Sequence, residues 1–401
     1  MGMQGQPLLV TSLIDHAARE HAGREIVSRW ADGSITRSTW GEVGADARRF
    51  AAAMARLGMQ KGDRIATLAM NHGHHLVSWY GTAGMGGVLH TVNPRLFPEQ
   101  VTYIINHAED GYVFFDTSFA ALVQSVAPKL PGVKGYVAMC TRAQMPDVDL
   151  PNLLCFEELV EAASPVYRWP SFDENTASSL CYTSGTTGNP KGVVYHHRGA
   201  YLNAMCNIVA WDMGKHPVYL WTLPMFHCNG WCFPWTLAAA AGVSVSLRAV
   251  RPEPIFKAIK EEKVNHFCGA PIVLNMLNNA PAALKDGITH QVKVMTAGAA
   301  PPAAVIEGME RMGFQVTHVY GLTETYGPCV SCAWQDRWND ESIEEKARLK
   351  ARQGVRYPMQ EGLMVADPTN LEPVPQDGKT MGEVFMRGNL VMKGYLKNPS
   401  A

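Results

Sequence analysis

Residues 183–192 read TSGTTGNPKG and join two segments with strand patterns. Four hydroxyl side chains, three glycines and one lysine fall within these ten residues. Glycines let successive backbone N–H groups converge on an anion, and hydroxyls donate to phosphate oxygens or bind Mg²⁺. The common loop of nucleotide hydrolases has Gly-Lys-Ser/Thr running into a helix, whereas here Pro190 precedes Lys191 and a strand follows. The composition therefore predicts a phosphate-binding hairpin of another kind, with a plain surface hairpin as the alternative.

Strand and helix patterns alternate on both sides of this hairpin. Thr39 and Glu42 form a capping box before an amphipathic helix that Gly58 ends. The predicted strands are Arg64–Leu68, Val88–Val92, Tyr112–Phe115, Ser179–Tyr182, Val193–Tyr195, Val292–Thr296 and Val316–Tyr320. Strand, helix and strand in succession indicate parallel sheets with crossover helices, so the predicted fold class is α/β. Residues 141–173 are predicted to be an irregular connection, and residues 341–352 a solvated surface helix.

Composition narrows the class of protein further. The 401 residues leave room for two or three folding units, and 35 basic against 36 acidic residues give a net charge of −1. This balance predicts no nucleic-acid partner. An apolar share of 47% with 18% charged residues excludes a disordered chain, and no apolar run is long enough for an integral membrane segment. Nine scattered cysteines suggest reduced thiols and a cytoplasmic location.

Three further segments accompany the glycine-rich loop. They read PMFHCNGW at 224–231, GAAPP at 298–302 and YGLTE at 320–324. Together with the loop, in this order, they resemble the adenylate-forming (AMP-binding) superfamily of acyl-CoA synthetases, peptide-synthetase adenylation domains and luciferases. The resemblance runs from about Ile26 to the end of the chain. It implies a large domain with two βαβ-type sheet-and-helix subdomains and a smaller β subdomain.

The resemblance also implies a division of the chain. Residues 1–401 correspond to the large N-terminal adenylation domain, with a first α/β part at about 1–175, a second at 176–330 and a β-rich part at 331–401. The family continues with a ribose-binding aspartate, a hinge and a small C-terminal domain that carries a catalytic lysine. These would lie beyond Ala401, so we expect the small domain to be absent here and the chain alone to be poorly active.

Roles in ATP binding follow from the resemblance. The loop implies a phosphate site made by Thr183, Ser184, Gly185, Thr186, Thr187, Gly188 and Lys191. It also implies Mg²⁺ on Thr183 and Glu324, and an adenine or AMP site made by Gly298, Ala299, Ala300, His318, Val319, Tyr320, Gly321 and Thr323. The residues expected to act in catalysis are Thr183, Lys191, His227, Thr323 and Glu324.

The segment at 224–231 implies an acyl pocket and its gate. The expected lining is Met225, His227, Gly230, Trp231 and Trp235. Trp231 takes the place of a tryptophan that gates the tunnel in the medium- and long-chain fatty acyl branch. Bulky residues also shorten tunnels, and Met225 suits a thioether, so a short acid of the methylthio-propionate type stays open.

The implied reaction is ATP-dependent carboxylate–CoA ligation through an acyl-adenylate. ATP, Mg²⁺ and CoA (as co-substrate) are the expected cofactors, a carboxylic acid is the other substrate, and a homodimer is an expectation from the family. Two alternatives remain at this level. The acyl group could pass to a different acceptor, or the chain could be a non-catalytic nucleotide- or acyl-binding domain if the natural protein ends near residue 401.

Overall fold

A computed structural model describes residues 4–183 and 189–398. The helices are α1 (Thr11–Glu20), α2 (Trp40–Arg56), α3 (Gly73–Gly84), α4 (Pro98–Ala108), α5 (Ala120–Val126), α6 (Phe156–Glu161), α7 (His197–Ala210), α8 (Phe233–Ala239), α9 (Pro252–Glu261), α10 (Pro271–Asn278), α11 (Ala282–Lys285), α12 (Ala303–Arg311) and α13 (Ile343–Lys350). The first strands are β1 (Glu25–Arg29), β2 (Ile35–Thr39), β3 (Arg64–Leu68), β4 (Val88–Thr91), β5 (Tyr112–Phe115), β6 (Gly135–Ala138), β7 (Leu153–Cys155), β8 (Ala177–Tyr182), β9 (Gly192–His196) and β10 (Val218–Trp221). The later strands are β11 (Val243–Ser246), β12 (His266–Gly269), β13 (Val292–Thr296), β14 (Phe314–Leu322), β15 (Gly327–Ser331), β16 (Val355–Arg356), β17 (Gln360–Ala366), β18 (Glu383–Gly388) and β19 (Gly394–Tyr395).

An eight-stranded sheet carries the glycine-rich hairpin. Its strand order is β19-β9-β8-β4-β3-β5-β6-β7. The pairs from β8 through β7 are parallel, while β8 with β9 and β9 with β19 are antiparallel. Helices cross between the parallel strands, as the sequence pattern predicts.

A nine-stranded sheet forms the second α/β unit. Its order is β16-β15-β14-β13-β12-β10-β11-β1-β2, with a parallel centre from β14 to β1 and antiparallel strands at both ends. A separate antiparallel pair, β17 with β18, makes the smaller β subdomain. Two α/β units and a β unit confirm the predicted fold class.

The sheets do not follow the predicted division of the chain near residues 175 and 330. β1 and β2 leave the N-terminal part and pair with the nine-stranded sheet, because β1 lies parallel to β11. β8 and β9 lie beyond residue 175 but belong to the eight-stranded sheet, and β19 returns to its edge. Strand pairing depends on contacts between distant segments, so a division drawn along the sequence misplaces these strands.

The helix α2 forms as its sequence predicts. The Glu42 backbone N–H donates to Thr39 Oγ1 at 3.3 Å, and the Thr39 hydroxyl donates to the Glu42 carboxylate at 2.9 Å. One face of α2 is buried in the core shared by the two sheets, including Val43, Phe50 and Met54. The helix stops at a left-handed Gly58.

Two of the local predictions hold only in part. Residues 141–173 contain β7, which extends the eight-stranded sheet, and α6, which packs on α2. Helix α13 is not fully solvated, because Ala347 and Leu349 are buried and Lys350 Nζ pairs with Glu310 at 2.5 Å. In the described ranges, no helix has the length and apolar character needed to cross a bilayer.

Candidate active site

The glycine-rich hairpin opens at the end of β8. Its register pairs Tyr182 with Gly192, the Thr183 N–H donates to the Lys191 carbonyl at 3.0 Å, and the Lys191 N–H donates to Thr183 Oγ1 at 3.2 Å. These bonds hold the predicted magnesium ligand and the predicted phosphate lysine at the two ends of the loop. The other predicted loop residues, Ser184, Gly185, Thr186, Thr187 and Gly188, lie outside the described residues.

The YGLTE segment forms the end of β14 and a tight turn into β15. The Leu322 N–H donates to Thr325 Oγ1 at 2.9 Å, and that hydroxyl donates to the Gly327 carbonyl at 2.8 Å. The turn leaves Thr323 and Glu324 half-buried. Gly321, predicted at the adenine site, is also required by packing, because a Cβ there would come within 1.9 Å of the Gly327 oxygen.

Aromatic side chains join this turn to the glycine-rich hairpin. Tyr195 of β9 donates its hydroxyl to the Thr323 carbonyl at 2.6 Å, and its ring stacks on Tyr326 with centroids 4.0 Å apart. Tyr395 of β19 donates to Glu324 Oε1 at 2.7 Å, while its ring centroid lies 5.0 Å from Lys191 Nζ. The fold therefore brings Lys191 and Glu324 to the same place. The sequence analysis did not assign Tyr195 or Tyr395 to the site, because neither lies in one of the four motifs.

The side chains at this place suit a magnesium ion that is mainly bound by substrate. Glu324 offers one carboxylate, Thr183 lies across the hairpin from Lys191, and within 4–183 and 189–398 no cluster of three or more His, Cys, Asp or Glu side chains could hold a metal. Mg²⁺ typically takes one or two carboxylates, several waters and the phosphates of its substrate rather than a protein cage. The donor set is thus compatible with a nucleotide-borne Mg²⁺.

The acyl segment forms a left-handed turn that the sequence did not reveal. Cys228, Asn229, Gly230 and Trp231 have φ angles of 40°, 36°, 60° and 51°, and Cys232 follows at 69°. Such a conformation costs non-glycine residues about 1–2 kcal/mol each, so the surroundings must impose it. Asn229 donates to Thr91 Oγ1 at 2.7 Å, and the Asn207 side chain donates to the Trp231 carbonyl at 3.0 Å.

Trp231 is packed tightly inside this turn. Its side chain is buried, and a Cβ on Gly327 would lie 2.9 Å from the Trp231 Cα. Asn71 positions the start of the segment, because its side chain accepts from the Met225 N–H at 2.8 Å and donates to the Leu223 carbonyl at 3.0 Å. The segment that carries the predicted gate is therefore fixed at its start by Asn71 and at the Trp231 carbonyl by Asn207.

Two other predicted pocket residues lie in contrasting places. Trp235 is fully buried and donates its indole N–H to the Tyr326 hydroxyl at 2.6 Å, with Trp79 and Tyr80 packed edge-on against it. It belongs to the same buried core as Trp231. His227 is exposed, and the protein atoms around its ring, with the charge of Arg95, lower its pKa.

The predicted adenine wall lies at the ends of β13 and β14. Gly298 adopts a left-handed φ of 88°, and it is exposed together with Ala299 and Ala300. Tyr320 is half-buried, whereas Val319 is buried. The His318 imidazole is buried and contacts the Arg352 carbonyl at 3.0 Å through Nδ1. The side chains of His318 and Val319 are therefore not exposed to a ligand, and the adenine roles stay predictions.

Comparison with known proteins identifies the family of this chain. The family model described as AMP-binding enzyme matches residues 14–396. The peroxisomal acetate/butyrate–CoA ligase AAE7 of Arabidopsis thaliana is 42% identical over 97% of this chain and 70% of its own length. The 3-methylmercaptopropionyl-CoA ligase of Ruegeria lacuscaerulensis is 39% identical over 98% of this chain and 74% of its own length.

A solved structure shows the same fold. The inhibitor-bound N-terminal domain of FACL13 from Mycobacterium tuberculosis superposes with a TM-score of 0.80 at 22% identity, covering 98% of this chain and 92% of that domain. With a family model spanning most of its length, and with carboxylate–CoA ligases among its relatives, the chain belongs to the AMP-binding enzyme family.

Proposed function

We propose that this chain provides the adenylation site of an AMP-forming acyl-CoA synthetase that activates a short carboxylic acid. The observation that carries the proposal is the meeting of Lys191 and Glu324 across the Tyr395 ring, at the mouth of the glycine-rich hairpin. A positive charge, a metal-binding carboxylate and a phosphate-type loop at one place suit the α-phosphate chemistry of ATP.

The reaction would take place in two steps. A carboxylate oxygen attacks the α-phosphorus of ATP, and pyrophosphate leaves as the acyl-adenylate forms. The thiol of CoA then loses its proton to solvent, the thiolate attacks the acyl carbon, and AMP leaves as the thioester forms. Neither step needs a nucleophilic side chain, so the protein acts by positioning the substrates and balancing their charge.

The side chains have distinct proposed roles in the first step. Lys191 places its ammonium against the phosphates, and Thr323 binds the α-phosphate. Mg²⁺, held by Glu324 and Thr183 when bound with ATP, would neutralise phosphate charge. His227 is an exposed residue of the acyl segment, where its lowered pKa favours a neutral imidazole beside the substrate carboxylate.

A short acid fits the packing around Trp231 better than a long one. The Trp231 backbone is held by Asn207 and pressed against Gly327, and behind the turn Trp235 is tied to Tyr326. With its backbone fixed in this way, the Trp231 ring would leave little room for a long alkyl chain unless the left-handed turn rearranges. The names of the relatives, an acetate/butyrate and a 3-methylmercaptopropionyl ligase, point to acids of this size.

The remaining expectations also belong to this proposal. A small C-terminal domain would complete the second step, and a homodimer would be visible by sedimentation. All nine cysteines are free and buried, which fits a reducing compartment such as the cytoplasm. Since AAE7 is named as peroxisomal, microscopy of a tagged protein is the test of location.

The proposal is tested with the natural gene product, MgATP, CoA and carboxylic acids of two to sixteen carbons, with products identified by mass spectrometry. The expected product is a CoA thioester, formed best from acids of about two to five carbons. Acyl-adenylate without thioester would indicate a different acyl acceptor, and no adenylate from any acid would indicate a binding protein.

A pair of variants tests the assigned carboxylate. Glu324→Gln should lower adenylate formation by about 10²-fold or more, because the metal loses its charged ligand. Glu383→Gln, an exposed carboxylate on β18, is the matched control and should behave as the wild type. Equal adenylation by the two variants would contradict the role given to Glu324.

A further inference from the structure

Tyr395 touches both charged side chains of the proposed site. Its hydroxyl donates to Glu324 Oε1 at 2.7 Å, and its ring centroid lies 5.0 Å from Lys191 Nζ. No sequence motif assigned here includes it. A single side chain thus links the carboxylate expected to bind metal to the ammonium expected to bind phosphate.

The backbone of Tyr395 is fixed on two sides. Strand β19 pairs with β9, so that Tyr395 lies opposite Val193, one residue past the glycine-rich hairpin. Just before β19, the Met392 N–H donates to the Glu324 carbonyl at 2.7 Å. β19 and Met392 just before it therefore connect the hairpin to the turn that carries Glu324. Tyr395 has little freedom to move away from the hairpin or from this turn.

The chemistry of the phenol suits orientation of a metal ligand. The hydroxyl occupies Oε1, which leaves Oε2 for a cation, and donors of this kind fix the direction in which a carboxylate presents its free oxygen. A phenol carries its proton at neutral pH and can therefore act as the donor in this hydrogen bond.

The ring suits Lys191 in a different way. An ammonium within about 6 Å of an aromatic centroid is attracted by the negative face of the ring. Lys191 is exposed, so this attraction limits where its long side chain rests when no nucleotide is bound. The hydroxyl of Tyr395 thus acts on Glu324, and its ring acts on Lys191.

We propose that Tyr395 is a positioning residue, which aims the free oxygen of Glu324 at the metal of MgATP through its hydroxyl and holds Lys191 toward the phosphates through its ring. The proposal rests on the function proposed above, in which Glu324 binds the metal. The proposal gives β19 a part in ATP binding. The motifs did not indicate this part, because β19 lies outside all four of them.

The test measures equilibrium binding of ATP to the natural protein with and without Mn²⁺, in the absence of any carboxylic acid so that no turnover occurs. The ratio of the two Kd values reports the contribution of the metal. Tyr395→Phe should reduce this ratio about tenfold and leave the metal-free Kd unchanged, because only the hydroxyl is lost. Tyr395→Leu should reduce the ratio equally and also weaken metal-free binding about threefold, because Lys191 loses the ring.

Two further variants distinguish a failure of the Tyr395 proposal from a failure of the proposed function. Tyr112→Phe removes a buried hydroxyl that donates to the Leu57 carbonyl at 2.9 Å, away from the site, and should keep the wild-type ratio. Glu324→Gln should lose the metal contribution. If Glu324→Gln loses it while Tyr395→Phe binds Mn²⁺ as well as or better than the wild type, the role of Tyr395 is refuted and the proposed function stands. If Glu324→Gln keeps the wild-type ratio, both are refuted.

Discussion

Gly327 offers a sharp test of how the acyl segment is packed. Its φ angle is 92°, and an added Cβ would lie 2.9 Å from the Trp231 Cα and 3.1 Å from its Cβ. Gly313, at the end of α12, has a similar φ of 84° with nothing within 4 Å of the added Cβ. Gly327→Ala and Gly313→Ala therefore share the cost of left-handed backbone and differ in the clash with Trp231.

The expected size of the difference follows from these distances. Left-handed alanine costs about 1–2 kcal/mol in both variants, partly offset by about 0.4–1 kcal/mol from the stiffer unfolded chain. A backbone clash that cannot be relieved by a flexible side chain adds about 1–3 kcal/mol in Gly327→Ala alone. For a chain of this length, an excess of about 2 kcal/mol corresponds to a Tm about 2–3 °C below that of the control.

Calorimetry of the two variants gives the Tm values, and the acid panel gives the functional result. Gly327→Ala should also change the preference among acids, because the clash displaces Trp231, whereas Gly313→Ala should keep the wild-type profile. Equal Tm values, or an unchanged profile in Gly327→Ala, would refute the packing of Trp231 on this glycine.

Three more predictions concern the pocket and pH. Trp231→Ala should shift the best substrate to longer acids with ATP affinity kept, and an unchanged ranking of kcat/KM across the panel would remove its role as a gate. Trp235→Phe should lower the free energy of unfolding by about 1–3 kcal/mol, because the Tyr326 hydroxyl loses its indole partner inside the core, while the acid ranking stays as in the wild type. Burial lowers the pKa of His75 to about 3, so between that value and the ordinary 6.5 only the unfolded chain takes up the proton. Acidification from pH 7 to pH 5 should therefore cost about 2 kcal/mol of unfolding free energy at this residue. Denaturant melts of His75→Gln should show a shallower pH slope than those of the wild type, and equal slopes would contradict the assignment.

Periodic and capped segments were predictable because their patterns are local. The strand Val292–Thr296 has the same bounds in sequence and structure, and Thr39 begins its helix as the capping box predicts. Mixed charge along residues 341–352 was misleading, since it does not reveal that Lys350 turns inward to Glu310. Short segments such as β7 have too few residues for a periodic pattern to emerge.

Residue type and spacing were enough to predict the α/β class, the glycine-rich loop and the candidates Lys191, Glu324 and Trp231, because they express local chemistry. Three features became visible only in the folded chain: β1 and β2 join the distant sheet, residues 228–232 turn left-handed, and Tyr395 lies between Lys191 and Glu324. Each of these depends on contacts between segments far apart in the chain. Their energies come from pairing and packing partners that no local pattern specifies.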